Sequence, residues 1–299
     1  MKVVAIGRTS MLYNSVLKLS EDAHEVKTII TAKSAHEYTR NEEEFKALAK
    51  ETHASFFLTN RLDKPEIMRA IKGSDIAISV NWVSLFIKKQ IDCFKIGILN
   101  AHMGDLPKYR GNACPNWAIL NSEKEIVISI HLVEAGKLDC GRVIVQDRLA
   151  ISQTTYIGDV YAWAETTIPD LFVKALAILR KDPDYELKYA DADAAESFRC
   201  YPRRPEDSKI EWTSSTEKIH RLIRASGKPF SGAYGFLDGK KLIVWKAEPC
   251  SGNERYTAVP GQICEIGQQY FVVATGEGKL KITEWECGAR IKTIRQRLQ

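Results

Sequence analysis

The sequence predicts an α/β protein in which a large domain with a mostly parallel sheet precedes a small β domain of barrel type. In the first 100 residues, short apolar strands alternate with helical segments, which is the pattern of a parallel sheet with helices on both faces. After residue 205, short apolar runs recur about every ten residues, which is typical of a small barrel or sandwich. A chain of 299 residues has room for two such domains.

The elements of the first domain follow from its apolar pattern. Strands are predicted at 3–7, 25–32, 55–58, 76–80, 96–100, 126–133 and 142–149, and helices at 10–19, 41–51, 64–71, 85–91, 115–121 and 155–180. The first strand is too short to be the apolar part of a signal peptide. The turn after it contains only Gly7, whereas a dinucleotide-binding turn needs several glycines, so no nucleotide cofactor is predicted there.

A polar segment with prolines separates the two predicted domains. We place the first domain at 1–185, a linker at 186–205 and the second domain at 206–299. The second domain is predicted to contain a helix at 216–226 and strands at 232–237, 241–247, 261–266, 271–274 and 279–286. Asp238-Gly239 between the first two of these strands is a strong hairpin signal.

Composition and charge limit the class of protein. With 44% hydrophobic and 27% charged residues and no apolar run of membrane-spanning length, a soluble globular protein is expected. Seven scattered cysteines without a CxxC pair suggest neither disulfides nor a metal site, and a reducing cytoplasm fits best. From Cys200 onward, 17 Lys and Arg face 11 Asp and Glu. This surplus indicates either a mildly basic surface or a phosphate-bearing partner.

The strand at 96–100 ends in polar residues that could carry chemistry. Asn100 and His102 are two residues apart, so in extended chain their side chains point to the same face. The carboxyl end of a strand in an open α/β sheet is where such proteins place their sites. Asn and His at a strand end are also common structural hydrogen-bonding residues, and the sequence alone leaves that alternative open.

Asp139 is the carboxylate that we favour as a partner, because it lies in a short loop between Gly136 and Gly141. Asp105 is nearer in sequence, but it follows a turn and could simply bind backbone there. An amide, a histidine and a carboxylate suit acyl transfer to an amine. The amide and a protonated histidine would stabilise a developing oxyanion, and the histidine or the carboxylate would take the proton of the amine. Cys140 and His131 are interpreted as buried structural residues, and direct transfer is predicted because no Ser or Cys occupies a nucleophile position.

Several motifs together resemble a known family. In the first domain they are Asn100-x-His102, Leu106-Pro107-Lys108-Tyr109-Arg110-Gly111, Pro115-x-Trp117-Ala118-Ile119-Leu120-Asn121 and Leu138-Asp139-x-Gly141. In the second they are Ile223-Arg224-Ala225, Pro229-Phe230-x-Gly232-Ala233-Tyr234, Gly239-Lys240-Lys241-Leu242 and Val272-Val273-Ala274-Thr275-Gly276. This joint pattern resembles the formyltransferases that use N10-formyltetrahydrofolate, including sugar N-formyltransferases and methionyl-tRNA formyltransferases.

The resemblance implies a Rossmann-like catalytic domain, an OB-like C-terminal domain and an enzyme that needs no metal. It implies that Asn100, His102 and Asp139 are catalytic and that an amine attacks the formyl carbon directly, through a tetrahedral intermediate. The folate pocket would be lined by residues of two segments: Phe86, Ile87, Ile91, Glu134, Ala135, Gly136 and Leu138. Many relatives have Ser-Leu where this chain has Gly104-Asp105, so the shape of that loop is in question.

The acceptor amine is predicted to belong to an amino sugar linked to dTDP, UDP or GDP, as in lipopolysaccharide O-antigen biosynthesis. The alternative is methionyl-tRNA, whose enzymes carry a basic insertion after the second strand. Here the equivalent segment 32–51 is short and contains Glu42-Glu43-Glu44, which would repel phosphates. Lys108, Tyr109 and Arg110 are the predicted acceptor contacts, although Arg110 could equally anchor the loop. A non-catalytic formyl-folate-binding protein is the remaining alternative, no membrane partner is expected, and relatives suggest a homodimer.

Overall fold

A computed structural model of the chain describes residues 1–35, 38–191, 193–251 and 255–299. The strands are β1 (Lys2–Gly7), β2 (Glu25–Thr31), β3 (Ser55–Leu58), β4 (Ser74–Val80), β5 (Phe94–His102), β6 (Tyr109–Gly111), β7 (Glu125–Leu132), β8 (Gly141–Ala150), β9 (Lys188–Ala190), β10 (Phe198–Cys200), β11 (Ala233–Leu237), β12 (Lys240–Pro249), β13 (Ile263–Ile266), β14 (Phe271–Ala274) and β15 (Lys279–Cys287). The helices are α1 (Thr9–Glu21), α2 (Glu42–Glu51), α3 (Pro65–Ile71), α4 (Lys88–Ile91), α5 (Cys114–Leu120), α6 (Ile157–Lys181) and α7 (Thr216–Ser226).

The chain forms two compact units. The first contains Met1–Cys114, Ile126–Leu149 and Tyr161–Tyr201, and the second contains Pro115–Glu125, Ala150–Val160 and Pro202–Gln299. This division differs from the contiguous domains 1–185 and 206–299 of the sequence analysis, because two short internal segments belong to the second unit.

An eight-stranded sheet organises the first unit, in the order β3-β2-β1-β4-β5-β7-β8-β9. From β3 to β5 the neighbours run parallel, whereas β5 pairs with β7 in the antiparallel direction. The predicted mostly parallel sheet is therefore confirmed, and its direction changes at β5. Strand order also reverses along the sheet at β1 and β4, which is the type of place where open α/β sheets bind ligands.

Alternation along the central strands produces two apolar layers. One face of the sheet packs with α1, α2 and α6 around residues such as Val3, Ile78 and Leu99. The other face packs with α3 around Ile6, Ala77 and Ile98. Because successive side chains of a strand point to opposite faces, Asn100 and His102 lie on the face of Ile98.

The predicted linker contains two strands and is therefore not a plain linker. In the segment 186–205, β9 pairs with β8, and β10 pairs with β6 in parallel. Each strand has three residues within a polar stretch, so local apolar periodicity gives no signal for either. Strand β6 escapes prediction for the same reason, and its partner lies almost 90 residues further along the chain.

The second unit is built on an antiparallel sheet in the order β11-β12-β15-β14-β13. The final residues of the chain pair with both ends of this sheet: Leu298 bridges Leu237 at the end of β11, and Arg297 bridges Gln262 beside β13. The sheet is thereby closed, which agrees with the predicted small barrel. As predicted, Asp238 and Gly239 form the tight turn between β11 and β12, both with positive φ.

Helix α7 packs on the barrel core and carries buried polar groups. His220 and Arg224 are 4% and 6% exposed. The Arg224 guanidinium donates to the carbonyls of Ser152 and Thr155, at 2.9 and 3.0 Å. Burial lowers the pKa of His220 to about 4, so its ring is neutral at physiological pH. Within the described residues, no helix is long and apolar enough to cross a membrane.

Candidate active site

Asp139 approaches β5 because the loop between β7 and β8 folds back sharply. Asp139 itself has a φ of +48°, and Gly141 follows with a φ of +116°. A Cβ at Gly141 would lie 2.1 Å from the carbonyl oxygen of Leu132, so only glycine fits there. Aspartate tolerates the left-handed conformation better than most residues, which allows the turn at a modest cost.

The Asp139 carboxylate has one anchored oxygen and one oxygen directed at histidines. Its Oδ2 accepts a hydrogen bond from the backbone N–H of Gly111, at 2.8 Å. Its Oδ1 lies 3.6 Å from Nδ1 of His102 and 3.9 Å from Nε2 of His131. The side chain is 10% exposed, so the charge of the carboxylate acts on its neighbours in surroundings with little water and more strongly than it would on the surface.

His102 is held through its other ring nitrogen. Its Nε2 lies 2.7 Å from the backbone carbonyl oxygen of Tyr109, which only accepts, so Nε2 carries a hydrogen and donates it. This arrangement leaves Nδ1, on the side of Asp139, as the nitrogen that gains or loses a proton. Nδ1 therefore has the lone pair of the ring, and it lies 3.6 Å from Oδ1 of Asp139.

Asn100 joins the same group through His131. The Asn100 Nδ2 atom lies 3.3 Å from Nε2 of His131, its direct partner in the β5–β7 pairing. His131 is fully buried, and burial lowers its pKa to about 4 although the Asp139 charge acts in the opposite direction. The three predicted catalytic residues are thus brought together, with His131 between Asn100 and Asp139. The sequence analysis missed this role of His131, and the register of β7 against β5 is the signal that reveals it.

The loop that departs from the usual family pattern packs tightly on His102. A Cβ at Gly104 would lie 2.4 Å from both the His102 Nε2 and the Tyr109 carbonyl oxygen. The Asp105 carboxylate lies 3.2 Å from the Lys188 ammonium and 3.6 Å from the Arg148 guanidinium. Asp105 therefore fastens the loop to the neighbouring strands β8 and β9, and Gly104 leaves room for the histidine.

The residues predicted as acceptor contacts are engaged in packing. Tyr109 is buried and its ring lies 5.8 Å from that of Phe198, while the Lys108 ammonium lies over the Tyr109 ring. The Arg110 guanidinium donates to the Ser197 hydroxyl at 2.7 Å and to the Leu138 carbonyl at 3.2 Å. These contacts match the loop-anchoring alternative for Arg110 and connect the Asp139 loop with β10.

The two segments that are predicted to line the folate pocket meet in the structure. The backbone N–H of Gly136 donates to the carbonyl of Phe86 at 2.9 Å. Phe86 is buried in the apolar cluster of the Ile98 face, and Ile91 packs against that cluster. Ile87 is 49% exposed, and the Glu134 carboxylate pairs with Lys137 in the same loop. An apolar wall therefore lies on the side of the sheet that carries Asn100 and His102.

Two cysteines near the site, Cys114 and Cys140, are held as thiols, whereas a hydrogen bond with Cys114 lowers the pKa of Cys200. Cys114 Sγ lies 3.7 Å from the His102 Nε2. A hydrogen bond with the Cys200 thiol, together with burial, raises the pKa of Cys114 far above its usual range. Burial also raises the pKa of Cys140, next to Asp139. Both groups are poor nucleophiles in this state, since the thiolate is the reactive form. Among the described residues, no group of three or more His, Cys, Asp or Glu could hold a metal ion.

Comparison with known proteins agrees with this site. Residues 1–176 match the formyl transferase family, and residues 203–296 match the formyl transferase C-terminal domain. The chain belongs to the formyl transferase family and is a formyltransferase.

Similar proteins include methionyl-tRNA formyltransferases and a solved sugar-nucleotide complex. Methionyl-tRNA formyltransferases from Pelotomaculum thermopropionicum and Caldanaerobacter subterraneus are each 28% identical to this chain, covering 97% and 100% of it and 92% and 96% of themselves. A solved N-formyltransferase from Helicobacter canadensis, in complex with folinic acid and dTDP-3-aminofucose, has a TM-score of 0.71 at 19% identity, covering 96% of this chain and 100% of its own. The fold is therefore common to enzymes with different acceptors.

Proposed function

We propose that the protein transfers the formyl group of N10-formyltetrahydrofolate to a primary amine, and that this amine is the amino group of methionyl-tRNA. The observation that carries the proposed transfer is the convergence of Asn100, His102 and Asp139 at the end of β5. Folate supplies the formyl carbon that the amine attacks. The residues fit such a donor, because an apolar wall with Phe86 lies on the side of the sheet that carries the polar trio.

The roles of the trio follow from their hydrogen bonds. The Nδ2 of Asn100 has two hydrogens, of which His131 accepts one, and the other is available to the formyl oxygen. A donor that is fixed in advance stabilises the charge that develops on this oxygen during attack. His102 Nδ1 takes the proton of the attacking amine, and the Asp139 carboxylate stabilises the imidazolium that results. The same proton passes to folate N10 when the bond between N10 and the formyl carbon breaks, which releases tetrahydrofolate and returns His102 to its neutral form. With thiols rather than thiolates nearby, direct transfer without a protein-bound intermediate is the simplest course.

The choice of methionyl-tRNA revises the acceptor that the sequence analysis preferred. That preference relied on the acidic run at the start of α2. The Glu42 carboxylate accepts hydrogen bonds from the N–H and hydroxyl of Ser34, and the Glu44 carboxylate accepts one from the Asn41 N–H and pairs with Arg40. Glu43 lies 3.7 Å from the Lys46 ammonium. These charges stabilise the helix N-terminus and local cations, so they are a weaker argument against a phosphate-rich partner.

Two further observations support a tRNA acceptor. From Cys200 onward the chain carries a surplus of six positive charges, and binding to a nucleic acid depends on such charges. The curated relatives with nearly full coverage are methionyl-tRNA formyltransferases. A nucleotide-linked amino sugar, as in O-antigen biosynthesis, is the second candidate, supported by the fold similarity to the Helicobacter canadensis enzyme.

A direct competition between acceptors tests the proposal. The protein is incubated with N10-formyltetrahydrofolate, labelled in the formyl carbon, and either charged initiator tRNA or a panel of dTDP-, UDP- and GDP-linked amino sugars. Label is expected in formylmethionyl-tRNA, and uncharged tRNA is the control. Label in a sugar alone would replace the first candidate by the second. Absence of transfer to every acceptor, with folate binding intact, would contradict the transferase assignment for these amines.

A further inference from the structure

We propose that His131 is a positioning residue, which acts by fixing the carboxamide of Asn100 so that an Nδ2 hydrogen faces the formyl oxygen. This inference rests on the proposed formyl-folate donor and assigns a function to a residue outside the trio. It follows from a chain of two hydrogen bonds, in which the His131 ring donates to the Cys140 carbonyl and accepts from the Asn100 amide.

The His131 ring carries its hydrogen on Nδ1. Nδ1 of His131 lies 3.2 Å from the carbonyl oxygen of Cys140. A carbonyl oxygen can only accept, so Nδ1 carries the hydrogen of this bond. The ring is completely buried. It is neutral near pH 7, because burial lowers its pKa to about 4, and a neutral imidazole has a single N–H. Nε2 therefore has a lone pair and no hydrogen.

The unprotonated Nε2 of His131 fixes the orientation of the Asn100 amide. A nitrogen with only a lone pair accepts, so the group 3.3 Å from Nε2 must be a donor. That group is the NH2 of Asn100, and the opposite orientation of the amide would place its oxygen against a second acceptor. One Nδ2 hydrogen is used by His131, and the other points away from it. Without His131, the amide could turn and present its oxygen, which repels the oxygen of a formyl group.

The pairing of two strands keeps Asn100 and His131 aligned. Asn100 and His131 are direct partners in the antiparallel pairing of β5 and β7, so their side chains lie next to each other on one face. Cys140 is close to Asp139 in the β7–β8 loop, so the loop that supplies the catalytic carboxylate also sets the tautomer of His131. A tautomer fixed by a carbonyl on the far nitrogen is the arrangement that orients metal-bound histidines, and here it orients an amide.

The effect of His131 on the Asn100 amide can be measured with a formyl-folate analogue alone, without an acceptor amine. The probe is 10-formyl-5,8-dideazafolate, labelled with 13C at the formyl carbon and used without any acceptor amine, so that no transfer takes place. Isotope-edited infrared spectroscopy compares its carbonyl stretch in the free and bound states, because a hydrogen bond to the oxygen lowers the frequency. The variants are Asn100→Ala, His131→Leu and His131→Gln, where glutamine restores an acceptor. His220→Leu is the matched control, since it removes another buried neutral histidine, in the second unit.

We expect a lowered frequency in the wild type and in His220→Leu, and loss of most of that shift in both Asn100→Ala and His131→Leu. Partial recovery is expected in His131→Gln, with analogue affinity within about threefold of wild type. A full shift in His131→Leu, with loss in Asn100→Ala, overturns the positioning role only. A full shift in Asn100→Ala shows that Asn100 does not hold the formyl oxygen and also overturns the inference. Absence of analogue binding to the wild type contradicts the proposed formyl-folate donor instead.

A measurement on the wild-type protein covers the case in which His131→Leu does not fold. In a protein labelled with 15N-histidine, nitrogen chemical shifts distinguish a protonated from an unprotonated ring nitrogen. We expect Nδ1 of His131 to be protonated and Nε2 to be unprotonated at pH 7. A hydrogen on Nε2 would remove the acceptor for Asn100 and overturn the proposal.

Discussion

The end of β5 in the first unit and helix α7 in the second both bury titratable and charged side chains, with opposite consequences. In α7, Arg224 donates to two backbone carbonyls, so its polar groups serve local structure. At the end of β5, side chains face other side chains, and Asp139, His102 and Asn100 retain atoms that a substrate can use. His131 and His220 have the same lowered pKa of about 4, yet only His131 contacts the trio. Burial and a shifted pKa therefore do not identify a site without convergence of side chains.

Removal of the Asp139 charge should have the largest effect on activity, because this carboxylate belongs to the site at the end of β5 and not to the buried polar groups of α7. In Asp139→Asn the amide oxygen can still accept from the Gly111 N–H, so the loop is kept, while the stabilisation of the His102 imidazolium is lost. We expect transfer from N10-formyltetrahydrofolate to fall about 10³-fold, in the range for loss of acid–base catalysis. The measurement is kcat with the acceptor identified above. A fall of less than about tenfold would show that the carboxylate is not part of the proton transfer.

Acid should destabilise both regions through their neutral histidines. Unfolded histidine has a pKa of about 6.5, whereas His131 and His220 have values of about 4 in the folded protein. Between these values the unfolded chain binds more protons, so the free energy of unfolding decreases as the pH falls from about 6.5 to 4. The loss for His131 is about 3 kcal/mol, at about 1.4 kcal/mol for each pKa unit.

Urea unfolding at pH 7, 5.5 and 4.5 measures this slope. His131→Leu and His220→Leu should each flatten it by removing one titrating group, although only His131→Leu is expected to impair the site. If His220→Leu alone flattened the slope, the pKa of His131 would not be lowered on folding, and burial would not be what keeps its ring neutral. Equal slopes in all three proteins would assign the acid sensitivity to other groups.

A smaller effect is expected from crowding the catalytic histidine. In Gly104→Ala the added Cβ would lie 2.4 Å from both the His102 Nε2 and the Tyr109 carbonyl, so the hydrogen bond between them must lengthen or break. Overpacking of this kind costs about 1–3 kcal/mol, and we expect kcat to fall about tenfold. Gly227→Ala in the second unit is the control, since its nearest contact would be an ordinary 3.7 Å. Equal activity of the two variants would show that the loop yields without moving His102.

Much of the fold follows from the sequence because its elements are local. The long strands and helices of the first unit have apolar periods of two or of three to four residues, and the Asp238-Gly239 hairpin has its own turn signal. The three-residue strands β6, β9 and β10 were not predicted, since their formation depends on partners far along the chain. The assignment of segments 115–125 and 150–160 to the second unit depends on tertiary contacts for the same reason.

The residues of the site also divide into those that a local sequence pattern predicts and those whose role depends on a partner far along the chain. Asn100 and His102 were predicted from strand alternation, and Asp139 from its glycine-flanked loop and from the family resemblance. The role of His131 was not predicted, because the register between β5 and β7 decides which residue lies opposite Asn100. Acceptor contacts at Lys108, Tyr109 and Arg110 stay a prediction, as do a homodimer and a cytoplasmic location. For Arg110, the bonds to Ser197 and Leu138 favour the anchoring alternative.

Strand β10 has a consequence for the order in which a working enzyme arises during synthesis. Asn100, His102 and Asp139 leave the ribosome early, but the partner that holds Arg110 and β6 in place comes from 198–200 and Ser197, 87 residues after Arg110. A nascent chain that ends before this point has most of its parallel sheet and an unsecured catalytic loop. Formyl transfer by growing chains should therefore begin only once β10 has emerged, well after the catalytic residues themselves.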